Sequence, residues 1–132
     1  TEGQKEEAAI ALSHLAWKNP DNRTAIRDAG GIGPLVALVS DGTERQKELA
    51  AYALSKLACD DPFNQLAIRE AGGIGPLVAL VSDGTEGQKE EALVSDGTEG
   101  QKEEAAIALS HLAWKNPDNR TAIRDAGGIG PL

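Results

Sequence analysis

The sequence predicts an all-α protein in which helical units of 42 residues stack into one α-solenoid. The segment GGIGPLVALVSDGTE recurs unchanged at 30–44 and 72–86. Apolar residues recur at helical spacing between Gly, Pro and Asp turns, and no segment alternates with the period of two that is typical of strands. A unit of this size buries too little surface to fold alone, so we expect neighbouring units to share one core.

The repeats divide residues 1–132 into one domain of three units, 1–42, 43–84 and 85–132. The last unit carries a 13-residue tandem duplication at 80–105, where LVSDGTEGQKEEA occurs twice in succession. Residues 98–132 are identical to residues 1–35. Such identity indicates very recent duplication or deliberate assembly from a set of parts. The chain contains no methionine, so we expect a fragment or a processed product.

The long helix of the first unit is predicted from Glu2 to Trp17. Its apolar stripe, which we expect to face the core, consists of Ala8, Ala11, Leu12, Leu15 and Ala16. In the second unit, Thr43 followed by Gln46 forms a capping-box pattern, which predicts the start of the equivalent helix.

Two shorter helices are predicted between successive long helices. Asp21 or Asn22 can cap the first, which should run to Ala29 and stop at the left-handed Gly30-Gly31. The second should run from Pro34 to Val39, because proline fits the first turn of a helix. Ser40-Asp41-Gly42 should close it.

The duplication predicts a local irregularity. Thirteen extra residues in a continuous helix would rotate its core stripe by about 220°. We therefore expect Ser95-Asp96-Gly97 to break the chain, 98–115 to form the proper long helix, and 86–94 to form a short extra helix or an extension. Alternatively, the first copy at 85–92 begins a helix that another molecule completes, which would give a swapped assembly.

Charge and composition exclude several classes of protein. There are 21 acidic against 13 basic residues, a formal net charge of -8, which argues against nucleic acid as a partner and mildly favours a basic one. No apolar run is long enough to span a membrane. The single cysteine, Cys59, cannot form an internal disulfide, so we expect an intracellular protein, cytoplasmic or nuclear.

Nothing in the sequence indicates catalysis, a cofactor or a metal site. His14 and His111 are copies of one position in distant units, so they should not share a metal. Cys59 has no Cys-x-x-Cys companion and predicts a free thiol. The run Gly30-Gly31-Ile32-Gly33 follows no strand and precedes a proline, which does not fit a phosphate loop. Asn22 and Asn119 begin Asn-x-Thr triplets, which we interpret as helix-start residues. The chain is predicted not to be an enzyme.

The segment NRTAIRDAGGIGPLVALVSDGTERQKELAAYALSKLA at 22–58 and its copies resemble the armadillo family. The resemblance implies a right-handed superhelix whose long third helices line a concave groove that holds an extended peptide. Family members use an Asn and, one turn earlier, a Trp on these helices. Here the Asn position is occupied by His14, Lys56 and His111, and the Trp position by Ile10, Tyr52 and Ile107. One turn further upstream lie Glu7, Leu49 and Glu104.

Helix geometry independently places these residues on one stripe, because spacings of three and four share a helix face. We call this stripe the ladder. It comprises Glu7, Ile10, His14, Trp17, Leu49, Tyr52, Lys56, Cys59, Glu104, Ile107, His111 and Trp114. The ladder either binds a protein or peptide, or packs against neighbouring units. The first interpretation predicts a non-catalytic interaction scaffold for an extended or helical partner. The alternative is a structural or engineered building block that self-associates head-to-tail or by domain swapping.

Overall fold

The computed structural model describes residues 2–81 and 97–127, and all regular secondary structure within those ranges is helical. The helices are α1 (Glu2–Ala16), α2 (Pro20–Asp28), α3 (Ile32–Asp41), α4 (Glu44–Ala58), α5 (Pro62–Glu70), α6 (described over 74–81), α7 (Gly97–Ala113) and α8 (Pro117–Asp125). Short, middle and long helices follow one another in the predicted order. The protein is therefore an α-solenoid of helical repeats, as the sequence predicts.

Two predicted helix boundaries are confirmed in atomic detail. Thr43 Oγ1 accepts a hydrogen bond from Gln46 N at 3.1 Å, and Gln46 Oε1 accepts one from Thr43 N at 3.0 Å. This reciprocal capping box satisfies backbone donors that the start of α4 would otherwise leave without partners. Gly30 stops the short helix with φ of 82°, in the left-handed region where a Cβ would be strained.

Several predicted boundaries differ from those in the structure. The residue that caps α2 is Asn19, whose Oδ1 accepts from Asn22 N at 3.0 Å, rather than Asp21 or Asn22. Pro20 thereby occupies the first helical position, which needs no N–H donor. The middle helix α3 starts before the predicted Pro34 and ends after the predicted Val39. It can start at Ile32 because the first turn of a helix tolerates a proline, and it ends at Asp41, where Gly42 provides the C-cap.

The long helix α1 also ends at Ala16, one residue before the predicted Trp17. The chain turns there because Lys18 adopts a left-handed conformation with φ of 52°. Asp60 and Lys115 do the same after the other long helices, at 53° and 51°. A non-glycine residue in this region carries some strain, and its recurrence shows that the turn is a constant feature of the repeat.

The shared core is centred on α4, which packs against α1, α3 and α7. Its buried residues are mostly small, with Ala50, Ala51, Ala53 and Ala58 all fully inaccessible. Small side chains let neighbouring helix axes approach closely, and the larger Leu54 and Leu57 are also fully buried. The units consequently share one continuous core.

The predicted core stripe is correct in α4 but partly wrong in α1. Ala8 and Ala11 are exposed and Leu15 is 50% exposed, whereas Ala16 is buried. In α7, whose sequence is the same, the residues equivalent to Ala8, Ala11 and Leu15 are fully buried. The difference arises because the preceding long helix packs beside this stripe, α1 for α4 and α4 for α7. No helix among the described residues takes that place for α1.

Helix α7 occupies the long-helix position beside α4, as predicted for 98–115, although it runs from Gly97 to Ala113. Gly97 is thus the first helical residue rather than part of a chain break. The expected short helix at 86–94 and the swapping segment at 85–92 lie outside the described residues, as do Ser95 and Asp96.

Candidate partner-binding surface

The ladder follows the three long helices, which lie side by side in the order α1, α4, α7. Its members differ in exposure. Glu7, His14, Trp17, Ile107 and Trp114 are exposed, and Ile10, Leu49, Tyr52, Lys56, Cys59, Glu104 and His111 are half-buried. The two tryptophans are more than half exposed, at 53% for Trp17 and 59% for Trp114. Such large apolar rings in solvent are typical of binding surfaces.

Lys56 joins the first two long helices through aromatic rings. Its Nζ lies 4.2 Å from the centroid of the Trp17 ring and 4.8 Å from that of Tyr52. A cation at this distance is attracted by the electron-rich face of each ring. Trp17 also has the Nζ of Lys18 at 5.3 Å. The aromatic part of the ladder therefore already holds cationic groups from the chain itself.

His111 and Trp114 form the corresponding contact between the second and third long helices. His111 Nδ1 lies 2.8 Å from the carbonyl oxygen of Ser55 on α4. A cavity of about 310 Å³ opens beside this bond, lined by Cys59, Asp60, Ser110, His111 and Trp114. The cavity combines an aromatic wall with a carboxylate, a pair of groups that suits a cationic side chain.

Two carboxylates that sequence analysis did not single out, Glu48 and Glu103, lie near Glu104 in the middle of the ladder. Burial raises the pKa of Glu104, and Glu48 and Glu103 raise it further, while Lys56 opposes them. Burial likewise raises the pKa of Glu48, against the neighbouring Arg45. Glu104 Oε2 is buried and has no hydrogen-bond partner among the described residues. Glu48 and Glu104 are half-buried and Glu103 is exposed, and their mutual repulsion favours the approach of a positive charge.

Glu48 and Glu103 could have been found from the repeat. They occupy the position immediately before the ladder residues Leu49 and Glu104, which turns them toward the side where the next long helix lies. The equivalent residue of the first unit is Glu6, and its Oε1 lies 3.6 Å from Arg45 Nε on the neighbouring helix.

The ladder residues differ in the contacts that they make. Leu49 packs against the core, and Lys56 and His111 contact the neighbouring unit. Glu7, Trp17 and Trp114 project into solvent. The structure thus brings Trp17, Tyr52 and Lys56 together, and separately Cys59, His111 and Trp114.

Asparagines of the short helices hold the long helices in place, a role that sequence analysis missed. Asn64 is fully buried, and its Nδ2 donates to Leu57 O at 2.9 Å while its Oδ1 accepts from Arg27 Nη1 at 3.0 Å. One unit on, Asn119 bonds to Leu112 O at 2.8 Å and to Arg69 Nη1 at 2.9 Å. The recurrence of Arg and Asn at fixed repeat positions was the available signal.

No group of three or more His, Cys, Asp or Glu side chains within 2–81 and 97–127 could hold a metal ion. In the same part of the chain, no helix has the length and apolar character that crossing a membrane requires.

Comparisons with known proteins agree with this architecture. The Armadillo/beta-catenin-like repeat matches residues 19–59. Two engineered proteins solved by the Northeast Structural Genomics Consortium share 31% and 30% identity, with TM-scores of 0.78 and 0.79, over 97% of this chain. A designed armadillo repeat protein in complex with the peptide (KR)4 shares 25% identity over 92% of the chain, with a TM-score of 0.75.

The chain spans only part of each of these structures, namely 28% and 47% of the two engineered proteins and 46% of the designed peptide complex. A search of the curated proteins gives no match.

Proposed function

We propose that the chain, which is an armadillo-repeat protein, acts as a non-catalytic interaction scaffold that binds an extended or helical basic segment of another protein along the ladder. The proposal rests mainly on the coincidence, on one surface, of exposed tryptophans and crowded carboxylates. It assigns the protein to the cytoplasm or nucleus, where a free thiol such as that of Cys59 stays reduced.

The aromatic part of the ladder favours cationic partners. Lys56 already lies over the rings of Trp17 and Tyr52, so these rings accept a positive charge in this setting. Over the ring of Trp114, the described residues place one cation, the Nζ of Lys115, at 5.6 Å. A lysine or arginine of the partner would occupy the cavity between Trp114 and Asp60.

The acidic part of the ladder supplies the complementary charge. A guanidinium or ammonium group beside Glu104 would provide the hydrogen-bond partner that Oε2 lacks and would reduce repulsion from Glu48 and Glu103. Charge-assisted hydrogen bonds of this kind contribute about 1.5–3 kcal/mol. The net charge of -8 adds long-range attraction, which raises the association rate at low salt. The designed armadillo neighbour that carries (KR)4 supports a basic peptide as the probe.

The test is fluorescence anisotropy with a labelled (KR)4 peptide at low salt. We expect saturable binding to the wild type, and Glu104→Gln should weaken it about tenfold, which corresponds to about 1.4 kcal/mol. Glu70→Gln is the matched control, since it removes the same charge from an exposed position on the short helix α5. Equal losses in both variants would show that only net charge matters, and the ladder would lose its support.

A second pair of variants tests the aromatic part. Trp114→Ala should also weaken binding severalfold, whereas Phe63→Ala, which removes an exposed ring from α5, should leave it unchanged. Absence of saturable binding up to millimolar wild-type protein contradicts the proposal as a whole.

A further inference from the structure

The junction between α1 and α4 gathers positive charge around one aromatic ring of the ladder. The Nζ of Lys56 on α4 lies 4.2 Å from the centroid of the Trp17 ring, and the Nζ of Lys18, in the turn after α1, lies 5.3 Å from it. Lys56 Nζ also lies 4.8 Å from the ring centroid of Tyr52. These ammonium groups are within the roughly 6 Å over which a ring attracts a cation. The chain therefore fills this aromatic site with its own cations.

The two lysines are accessible, and their charges are not neutralised at contact distance. Lys18 is exposed and Lys56 is half-buried. Among the described residues, neither of them forms an ion pair with an aspartate or glutamate. Lys56 lowers the pKa of Glu104, but Glu104 belongs to the next long helix, α7. On the α1 side of Lys56, a further cation would meet two positive charges, whereas a carboxylate would meet two charged hydrogen-bond donors.

The junction between α4 and α7 carries a different charge at the same repeat positions. The equivalents of Trp17, Lys18 and Lys56 in this junction are Cys59, Asp60 and His111. They line the cavity of about 310 Å³, which has the carboxylate of Asp60 and, among the described residues that line it, no ammonium group. His111 Nδ1 lies 2.8 Å from the carbonyl oxygen of Ser55, which holds the imidazole against α4. The α4–α7 junction therefore suits a cation, whereas the α1–α4 junction suits an anion.

One extended segment can reach both junctions. The helices α1, α4 and α7 lie side by side, and the axes of neighbouring packed helices are about 8–10 Å apart. An extended chain advances about 3.1–3.4 Å per residue. Two side chains of the segment that are about two to four residues apart therefore span the distance from one junction to the next.

We propose that the ladder selects an extended segment of mixed charge, in which an acidic side chain contacts Lys18 and Lys56 while a nearby basic side chain enters the cavity beside Asp60. Lys56 determines this specificity, because it fills the aromatic site that a cation of the partner would otherwise take. The inference rests on the proposed function, since it states which basic segments the ladder prefers. A uniformly basic segment binds more weakly, because one of its cations must approach the two lysines or displace Lys56 from Trp17.

The test compares three labelled octapeptides by fluorescence anisotropy at low salt. They are (KR)4 and two versions of it whose fourth residue is replaced by glutamate, KRKEKRKR, or by glutamine, KRKQKRKR. Basic residues flank the replaced residue on both sides, so the comparison does not depend on the direction of the bound peptide. The wild type should bind the glutamate peptide severalfold more tightly than the glutamine peptide. Long-range attraction to a chain of net charge -8 predicts the opposite order, because the glutamate peptide is less positive.

Variants of Lys56 test whether this residue is responsible for the preference. Lys56→Glu should bind the glutamine peptide more tightly than the glutamate peptide. Lys56→Gln, which removes the charge but keeps a polar side chain, should no longer prefer the glutamate peptide. Lys5→Glu is the matched control, because it makes the same change of charge at an exposed position on α1 outside the ladder, and it should keep the wild-type order. Circular dichroism checks that each variant is folded.

The outcomes separate this inference from the proposed function. If the wild type binds (KR)4 saturably but does not prefer the glutamate peptide over the glutamine peptide, the inference is overturned and the proposed function stands. A glutamate preference that persists in Lys56→Gln, or one that Lys5→Glu abolishes equally, also overturns the inference. If none of the three peptides binds the wild type saturably, the proposed function itself fails, and this inference fails with it.

Discussion

Leu15, Leu57 and Leu112 occupy one position in three successive units, and they provide a direct measure of what stacking contributes. Leu57 and Leu112 are 0% exposed, while Leu15 is 50% exposed. The three residues are chemically identical and lie on helices of nearly the same sequence. Replacing each with alanine therefore varies the environment and holds the substitution constant.

The expected losses differ severalfold. Truncating a fully buried leucine removes its transfer free energy and leaves a cavity, at a cost of about 2–5 kcal/mol. We expect about 3 kcal/mol for Leu57→Ala and Leu112→Ala. Leu15→Ala leaves no cavity and removes a side chain that is only half covered, so about 1 kcal/mol or less is expected, since full burial of a leucine contributes about 1.5–3 kcal/mol.

The assay is urea denaturation followed by far-ultraviolet circular dichroism. Equal free-energy losses for Leu15→Ala and Leu57→Ala would refute the argument that neighbouring units, rather than the helix itself, bury this position.

Three further predictions concern single side chains. Asn64→Ala should lower the free energy of unfolding by about 2–3 kcal/mol, because it leaves a buried carbonyl and Arg27 without their partner, whereas Asn22→Ala, at a partly exposed position, should lower it by less than about 1 kcal/mol. Thr43→Ala should cost about 1 kcal/mol through loss of the capping box, and Thr43→Ser should restore most of it, as thermal unfolding would show. The pKa of Glu104 in the folded state lies above its ordinary 4.5, so the folded chain binds a proton on this carboxylate more tightly than the unfolded chain does. The free energy of unfolding should therefore fall as pH rises from 4.5 through that pKa. Glu104→Gln should flatten this part of the pH profile, which urea denaturation at several pH values would show.

Local signals in the sequence predicted the helices well because each boundary is determined by residues next to it. The Thr43 capping box and the left-handed Gly30 are examples. The cap of α2 was misplaced because Asn19, Asp21 and Asn22 are all good capping residues, and only the position of Pro20 in the first turn decides among them.

Burial was less predictable, since it depends on what stands beside a helix. The apolar stripe correctly describes α4. Between α1 and α7 the burial is reversed although the sequence is identical: Leu15 is exposed and its copy is buried, whereas Ala9 is buried and its copy is exposed. Periodicity identifies the apolar faces but does not say which of them has a neighbour.

The candidate site was predictable in outline only. Spacing along one helix grouped Trp17, Lys56 and Trp114 in a single ladder. The carboxylates of Glu48 and Glu103 act on Glu104 and Glu48 because α4 and α7 pack side by side, and no pattern within a single helix reports which helices are neighbours. The burial of Asn64 likewise requires contacts that span 37 residues.

The alanine-lined contacts of α4 have a mechanical consequence. Ala51 and Ala53 are inaccessible, so one added methyl group at either site would have to widen the gap between adjacent long helices. In a row of stacked units every boundary would open by the same small angle, and these angles would sum along the row. The side-chain volume at positions 51 and 53 would thereby determine the curvature of an extended array.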